Sequence, residues 1–223
     1  MVCEVYQAAP TQLAAGVHTI SCDEMTGVQA LERAAPTQPM RPGQVERREF
    51  EYIRHGTLSL MANLEVGNGR IIQSSLGPTR TEVDFVAHIA QTVATDEEAQ
   101  WIFIVDQLNT HKSEGLVCWV AEVCGVTTEL GVKGTNGILE SMASRSVFLS
   151  DQGHRIRFVY VPLHTSWLNQ VEIWFSILIR RLLHRANMAS LEELQERIRA
   201  FIVYSNQTAK AFKWTYNGRH LAA

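Results

Sequence analysis

Trp101-Ile-Phe-Ile-Val-Asp106 is the stretch that most restricts what this chain can become. Five consecutive apolar residues have no polar side to turn to water, so they read as a strand buried on both faces, the kind found inside α/β sheets covered by helices. The run stops at a carboxylate, which places Asp106 at the C-terminal edge of that strand. The neighbouring patterns agree with such a sheet. Residues 17–23 alternate as a strand, and 50–66 and 69–76 read as two strands joined at Gly67-Asn68-Gly69. Thr79 and Thr81 precede Glu82 and the 3–4 spacing of Val83, Phe85, Val86, Ile89, Ala90 and Val93, which predicts a helix with acid in its first turn. Residues 113–124 read as a helix stopped at Gly125, and 155–162 as a further strand. From Ser166, Leu168, Val171, Phe175, Leu178, Ile179 and Leu182 share one broad helical face, and Ser190 with Glu193 opens a last helix to about Tyr204. The order is that of an α/β chain with a mixed sheet. Residues 26–48, with Pro36, Pro39, Pro42 and Gly43, read as a long irregular connection, and 126–154, rich in Gly and Ser, carry no assignable pattern.

Composition excludes several classes. With 223 residues, 46% of them hydrophobic, 14 Gly, 6 Pro and no low-complexity tract, the chain has enough apolar material for a sizeable core and is neither disordered nor fibrous. No apolar run reaches the roughly 18 residues of a membrane span, so no membrane role is expected. Glu4 stands where a signal peptide would carry positive charge, and the expected location is cytoplasmic. Cys3, Cys22, Cys118 and Cys124 form no CxxC pair and read as free buried thiols. A net charge of −3 does not point to nucleic acid, so any such partner must rest on local features. One is the excess of +4 over residues 145–185, from Arg145, Arg155, Arg157, Arg180, Arg181 and Arg185 against Asp151 and Glu172. It is either a phosphate track or a solvated surface.

Three acids sit where packing alone would prefer something else. Asp23 follows the first strand, Asp106 ends the most apolar one, and Glu172 shares the line Leu168, Phe175, Ile179 on the inward side of a helix. An unpaired ionised carboxylate there costs several kcal/mol, so each needs a cation, donors or a raised pKa. A shared divalent site satisfies all three, with Mg²⁺ or Mn²⁺ suited to carboxylate oxygen and two ions about 3.5–4 Å apart suited to phosphoryl transfer. Blander readings stay open: Asp106 capping the turn at Gln107, Asp23 or Glu24 as a solvated strand end, Glu172 paired with Arg155 or Arg157. His111 and Lys112 either approach a phosphate or lie in a plain loop. His164 either positions a nucleophile, contacts DNA, or satisfies only local hydrogen bonds. Asn169 and Gln170 either orient ligands or cap the helix, and Trp167 and Trp174 either pack in the core or stack on a base.

Ile104-Val-Asp-Gln-Leu-Asn-Thr-His-Lys112 and Tyr160-Val-Pro-Leu-His-Thr-Ser-Trp-Leu-Asn-Gln-Val-Glu172-Ile-Trp resemble the second and third catalytic blocks of insertion-sequence transposases related to the Tc1/mariner elements. Ser21-Cys-Asp23-Glu-Met-Thr-Gly-Val-Gln-Ala-Leu-Glu-Arg33 resembles the block carrying the first aspartate, and with Phe212-Lys-Trp-Thr-Tyr216 the resemblance covers nearly the whole chain. It implies an RNase H-like fold, a mixed five-stranded sheet flanked by helices, and a DDE site that cuts DNA and joins the freed 3′-hydroxyl to target DNA. It further implies two Mg²⁺ or Mn²⁺ ions, with Asp23 bridging both and Asp106 and Glu172 each holding one. His111, Lys112, His164, Arg180, Arg181 and Arg185 are the candidate DNA contacts. Transposon ends and target DNA are the implied partners, with a homodimer, a separate N-terminal DNA-binding region and a nucleoid-associated location.

The domain reading is an extension over 1–16, a catalytic domain over 17–205 and a tail over 206–223. Because Asp106 and Glu172 lie 66 positions apart, 126–154 is read as an insertion. About sixteen residues before the first strand are too few for a three-helix DNA-reading module of about 11–12 residues per helix. The chain is thus expected to be the catalytic half alone, binding DNA weakly and without sequence preference. A non-transposing nuclease on the same fold and an inactive DNA-binding remnant are the alternatives. The three carboxylates are expected within about 4–8 Å of one another. Asp106→Asn is expected to leave metal-free stability unchanged or higher, because like charges crowd the site.

Overall fold

The apolar run becomes a strand with no wet face. Trp101, Phe103 and Val105 are buried in one core while Ile104 is buried in another on the opposite side, and the sheet is covered on both faces as a result. The structure, a computed structural model, describes residues 2–216. Its helices and strands are α1 (Val2–Ala14), β1 (Val17–Arg33), β2 (Tyr52–Glu65), β3 (Arg70–Gly77), α2 (Glu82–Val93), β4 (Gln100–Val105), α3 (Glu114–Val123), α4 (Met142–Leu149), β5 (Ile156–Tyr160), α5 (Val171–Arg181) and α6 (Leu191–Gln207). The five strands stand in the order β3-β2-β1-β4-β5, antiparallel through β3, β2 and β1 and parallel through β1, β4 and β5.

Each face has its own helices. Phe85 and Ile89 of α2, Leu116, Val117 and Val120 of α3, and Phe148 and Leu149 of α4 pack with Ile20, Cys22, Phe103 and Phe158 on one side. On the other, Val171, Trp174, Phe175 and Leu178 of α5 and Leu194, Ile198 and Ile202 of α6 pack with Leu58, Leu60, Ala62 and Leu64 of β2. Helix starts follow the side-chain signals: Thr81 and Asp84 make a reciprocal capping box for α2, and Ser113 and Ser190 cap α3 and α6.

Three segments depart from the sequence reading, each because tertiary burial adds what local pattern lacked. Within residues 1–16, read as an N-terminal extension, lies a helix the sequence pattern did not show: Val2, Tyr6 and Ala9 of α1 line one helical side and pack with Val66, Ile104, Val161 and Leu168. The helix tolerates Pro10 and has no capping signal because this packing holds it. β1 does not end at Asp23 but bends through bulges near Gly27 and Ala30 and runs to Arg33, since Val28 and Ala30 are buried beside β2. Only the stretch beyond it is irregular, with isolated pairings of Gln38 with Arg47 and Arg41 with Gln44. The segment 126–154 likewise contributes to the core, through Leu139 and α4. Cys3 and Cys22 are buried as expected, whereas Cys118 is exposed and Cys124 partly so; all four are free. Of the tail, Phe212 packs on the α5–α6 side and Trp214 lies 4.8 Å from Tyr6, while 217–223 lie outside the described residues.

His88 is buried between α2 and the sheet, its Nδ1 2.8 Å from Ser75 Oγ, and burial pulls its pKa down to about 3. The unfolded chain protonates this ring near 6.5 and the folded chain does not, so its contribution is intact above that pH and lost as pH falls. Between pH 7 and pH 4.5 it should cost about 2–3 kcal/mol of stability. Urea unfolding of the wild type and His88→Gln over this range checks it: the difference between the two profiles should carry that slope.

Candidate active site

Strand register sets two of the acids side by side. Ser21 pairs with Ile104 in the parallel β1–β4 ladder, so two residues on Asp23 stands level with Asp106. Alternation sends Ser21 and Asp23 to the face that carries α1 and α5, and Cys22 and Glu24 to the face that carries α2 and α3. Counting along β4 from Ile104 puts Asp106 on the same side as Asp23. α5 starts there, with Glu172 in its first turn, where the positive end of the helix dipole favours a carboxylate.

β1 itself fixes the start of α5. Gln170, at the N-cap position, caps nothing with its side chain; instead Ser21 Oγ accepts the Val171 N–H at 2.8 Å. The Ser21 hydroxyl donates to Asn169 Oδ1, and Asn169 Nδ2 donates to the Cys22 carbonyl at 2.8 Å and to Asp23 Oδ2 at 3.0 Å. Tyr6 of α1 adds its hydroxyl as acceptor for Gln170 N–H at 3.2 Å. Asn169 therefore orients an acid, as one of its two sequence readings held, and the cap comes from a serine about 150 residues away.

The acids differ in how their charge is met. Burial pushes Asp23 up to about 7; a hydrogen bond from Glu24 N–H opposes this, and the charges of Asp106, Glu24 and Glu172 add to it. Glu172 is raised by burial and by Asp106. Asp23 thus feels both other acids and Glu172 feels Asp106, although among the described residues no three His, Cys, Asp or Glu side chains are grouped closely enough to hold a metal ion. Asp106 goes the other way. Burial would raise it, but His111, the Leu108 N–H and the charge of Arg80 hold it below the usual carboxylate range. His111 Nδ1 lies 2.8 Å from Asp106 Oδ1 and its Nε2 3.0 Å from Glu24 Oε1. Burial would lower this imidazole, yet the two carboxylates lift it to about 9. The expectation that Asp106 is the strained acid is corrected accordingly: a protein cation already meets it, and the unmet charge belongs to Asp23 and Glu172.

Other expected site residues are dispersed. His111 is fully buried under Phe85 rather than facing a phosphate, and Lys112 is turned onto the Tyr160 ring at 4.6 Å with its Nζ donating to Gln107. His164 adopts a left-handed backbone (φ 62°) and lines a cleft of about 280 Å³ with Asp106, Gln107, Leu163 and Ser166. Arg180 and Arg181 are exposed at the end of α5, and the side chain of Arg185 lies outside the described residues. Arg145 is buried and bonded to Ser141, and Arg155 donates to Ala99, so these two are engaged within the protein and do not extend a track with Arg180 and Arg181. Among the described residues Glu172 has no ion pair with Arg155 or Arg157. Trp174 is core as expected, whereas Trp167 is exposed and meets the edge of Tyr216. Larger concavities of about 840 and 520 Å³ lie along residues 32–48, away from the acids. Glu24, which the sequence reading offered only as a solvated strand end, is instead nearly inaccessible and paired with His111. Its signal was present: one step from Asp23 along a strand, it had to fall on the apolar face, where a carboxylate needs a partner.

Three outcomes follow for the metal-free chain. Asp106→Asn should lower stability by about 1–3 kcal/mol, since a buried charged bond to His111 is lost, while Glu172→Gln should not lower it. Asn169→Ala should cost about 2–3 kcal/mol by stranding Asp23 Oδ2 and the Cys22 carbonyl. Thermal and urea unfolding in chelator measure all three.

The family model of the DDE superfamily endonucleases matches residues 18–195. Among solved structures, the Mos1 transposase paired-end complex with left transposon end aligns at TM-score 0.54 and 11% identity, over 91% of this chain and 52% of that one. A pre-cleavage Mos1 transpososome aligns at 0.52 and 8%, and the Mos1 mariner paired end complex with Mn at 0.51 and 10%, each over 91% of this chain and 54% of the other. At such identities the likeness is one of fold: the five-stranded mixed sheet flanked by helices is the RNase H-like architecture expected. The chain spans about half the length of these structures. No protein of curated function matches it.

Proposed function

The chain belongs to the DDE superfamily endonuclease family, and from that premise we propose that it is the catalytic domain of a Tc1/mariner-type transposase, cutting DNA and joining the cut end to a target. The observation that carries this reading is the set Asp23, Asp106 and Glu172, drawn from β1, the end of β4 and the first turn of α5 onto one side of the sheet.

The donor set fits a divalent cation. All three ligands are carboxylates, the oxygen chemistry that Mg²⁺ and Mn²⁺ take, and Asp23 is pushed up to about 7 where a cation would supply the missing counter-charge. When bound, two such ions would neutralise charge on the scissile phosphate and promote in-line attack at phosphorus by water or a 3′-hydroxyl, the opposite 3′-oxygen leaving. Asn169 and Ser21 keep Asp23 and the start of α5 in register for this, and His164 and exposed Arg180 and Arg181 are proposed phosphate contacts. DNA ends and a target as partners, a homodimer, a separate N-terminal DNA-binding region and a cytoplasmic, nucleoid-associated location belong to the same proposal. The Mos1 complexes, a paired-end complex with the left transposon end and a paired end complex with Mn, support it.

Plasmid nicking and oligonucleotide joining with Mg²⁺ or Mn²⁺ test the proposal. Asp23→Asn, Asp106→Asn and Glu172→Gln should each lower cleavage by about 100-fold or more, and DNA affinity should fall steeply with salt. Wild-type rates in any of the three would overturn the assignment. Cleavage without joining would favour a non-transposing nuclease, and binding without cleavage an inactive remnant.

A further inference from the structure

Glu24 and His111 take no part in the proposed reaction, yet both are nearly or fully inaccessible and both are tied to Asp106. The imidazole faces a carboxylate at each nitrogen, 2.8 Å from Asp106 Oδ1 and 3.0 Å from Glu24 Oε1. Two acceptors leave no role for an unprotonated ring nitrogen, so the ring serves as a double donor. It cannot easily swing away. The Phe85 ring lies 4.3 Å from it, and the Tyr160 hydroxyl donates to the His111 carbonyl at 2.9 Å. Asp106 Oδ1 accepts the Leu108 N–H at 2.9 Å and is ion-paired with His111 Nδ1, which also lies 3.4 Å from the Asp106 backbone carbonyl, so that one carboxylate oxygen is engaged twice, while among the described residues no hydrogen bond reaches Oδ2.

We infer that Glu24 and His111 are positioning residues that leave Asp106 only one oxygen for a metal ion and thereby favour Mg²⁺ or Mn²⁺ over Ca²⁺. The inference rests on the reading of Asp106 as a metal ligand. Ca²⁺ takes six to eight oxygens and commonly draws both oxygens of a carboxylate, whereas Mg²⁺ demands compact octahedral geometry that a single carboxylate oxygen suits. For Asp106 to offer both, Oδ1 must leave His111 and Leu108 together. Glu24 makes that harder by anchoring the far side of the ring from β1. Partners of ligands, held in this way, commonly change metal affinity 10–100-fold when removed.

Isothermal titration of the full chain with MgCl₂, MnCl₂ and CaCl₂, beside His111→Gln, Glu24→Gln and Asp106→Asn, tests this, with circular dichroism and melting curves to establish folding. His111→Gln should narrow the Mn²⁺ to Ca²⁺ affinity ratio by about tenfold, with Ca²⁺ binding unchanged or tighter, and Glu24→Gln should narrow it by about threefold. An equal loss for both ions, an unchanged ratio in folded variants, or unfolding of both variants would assign the pair a purely structural role and overturn the inference. If Asp106→Asn still weakens binding in those cases, the metal reading of the site stands without it. If Asp106→Asn leaves all binding unchanged, the metal reading fails and the inference fails with it.

Discussion

One side-chain amide holds this site together. Asn169 accepts from Ser21, donates to the backbone of Cys22 and donates to Asp23, joining the loop before α5 to the central strand across nearly 150 residues of sequence. Ser21 completes the lock by capping α5. The physical demand behind it is plain. Glu172 and Asp23 repel, both sit at the edge of a core, and a helix start free to drift would separate them. Bonds to buried backbone groups do not stretch at little cost, so the helix keeps its place against the repulsion.

The sheet handles its acids by distributing them over two faces. Asp23 and Glu24 are adjacent in sequence but opposite in direction, one toward α5 and one toward α2. Glu24 meets His111, which reaches around the end of β4 to Asp106 on the other face, so one imidazole stands between these two carboxylates within the protein. Asp23 has hydrogen bonds but, among the described residues, no ion pair, and burial pushes it up to about 7. Under the proposed function, this division leaves Asp23 as the acid whose burial a bound cation would relieve.

Segments that look dispensable in the linear chain support this arrangement. α1 lays Tyr6 against the backbone of Gln170 and packs on Ile104, two residues before Asp106. α4, inside what reads as an insertion, contributes Phe148 and Leu149 to the core beneath β4 and β5. The site is therefore braced from α1, from α4 and from the sheet's own register.

Much of this was legible in the residues alone. Five apolar residues ending in Asp106, the hairpin at Gly67-Asn68-Gly69 and the 3–4 spacing of α2 dictate strand, turn and helix because each pattern has one way to hide its apolar side. The three acids stood out as carboxylates in expensive positions, while their assignment to one site came from the resemblance of their sequence blocks to those of transposases. What only the folded chain decided were the partners. Nothing local makes His111 choose Asp106 and Glu24 over a phosphate, or lets Ser21 cap a helix that begins at Val171. Those bonds join residues far apart along the chain, and local periodicity carries no information about what a buried polar group will meet. α1 and the second half of β1 were missed for the same reason: with Pro10 and Gly27 breaking the local preference, burial against distant strands determined their form.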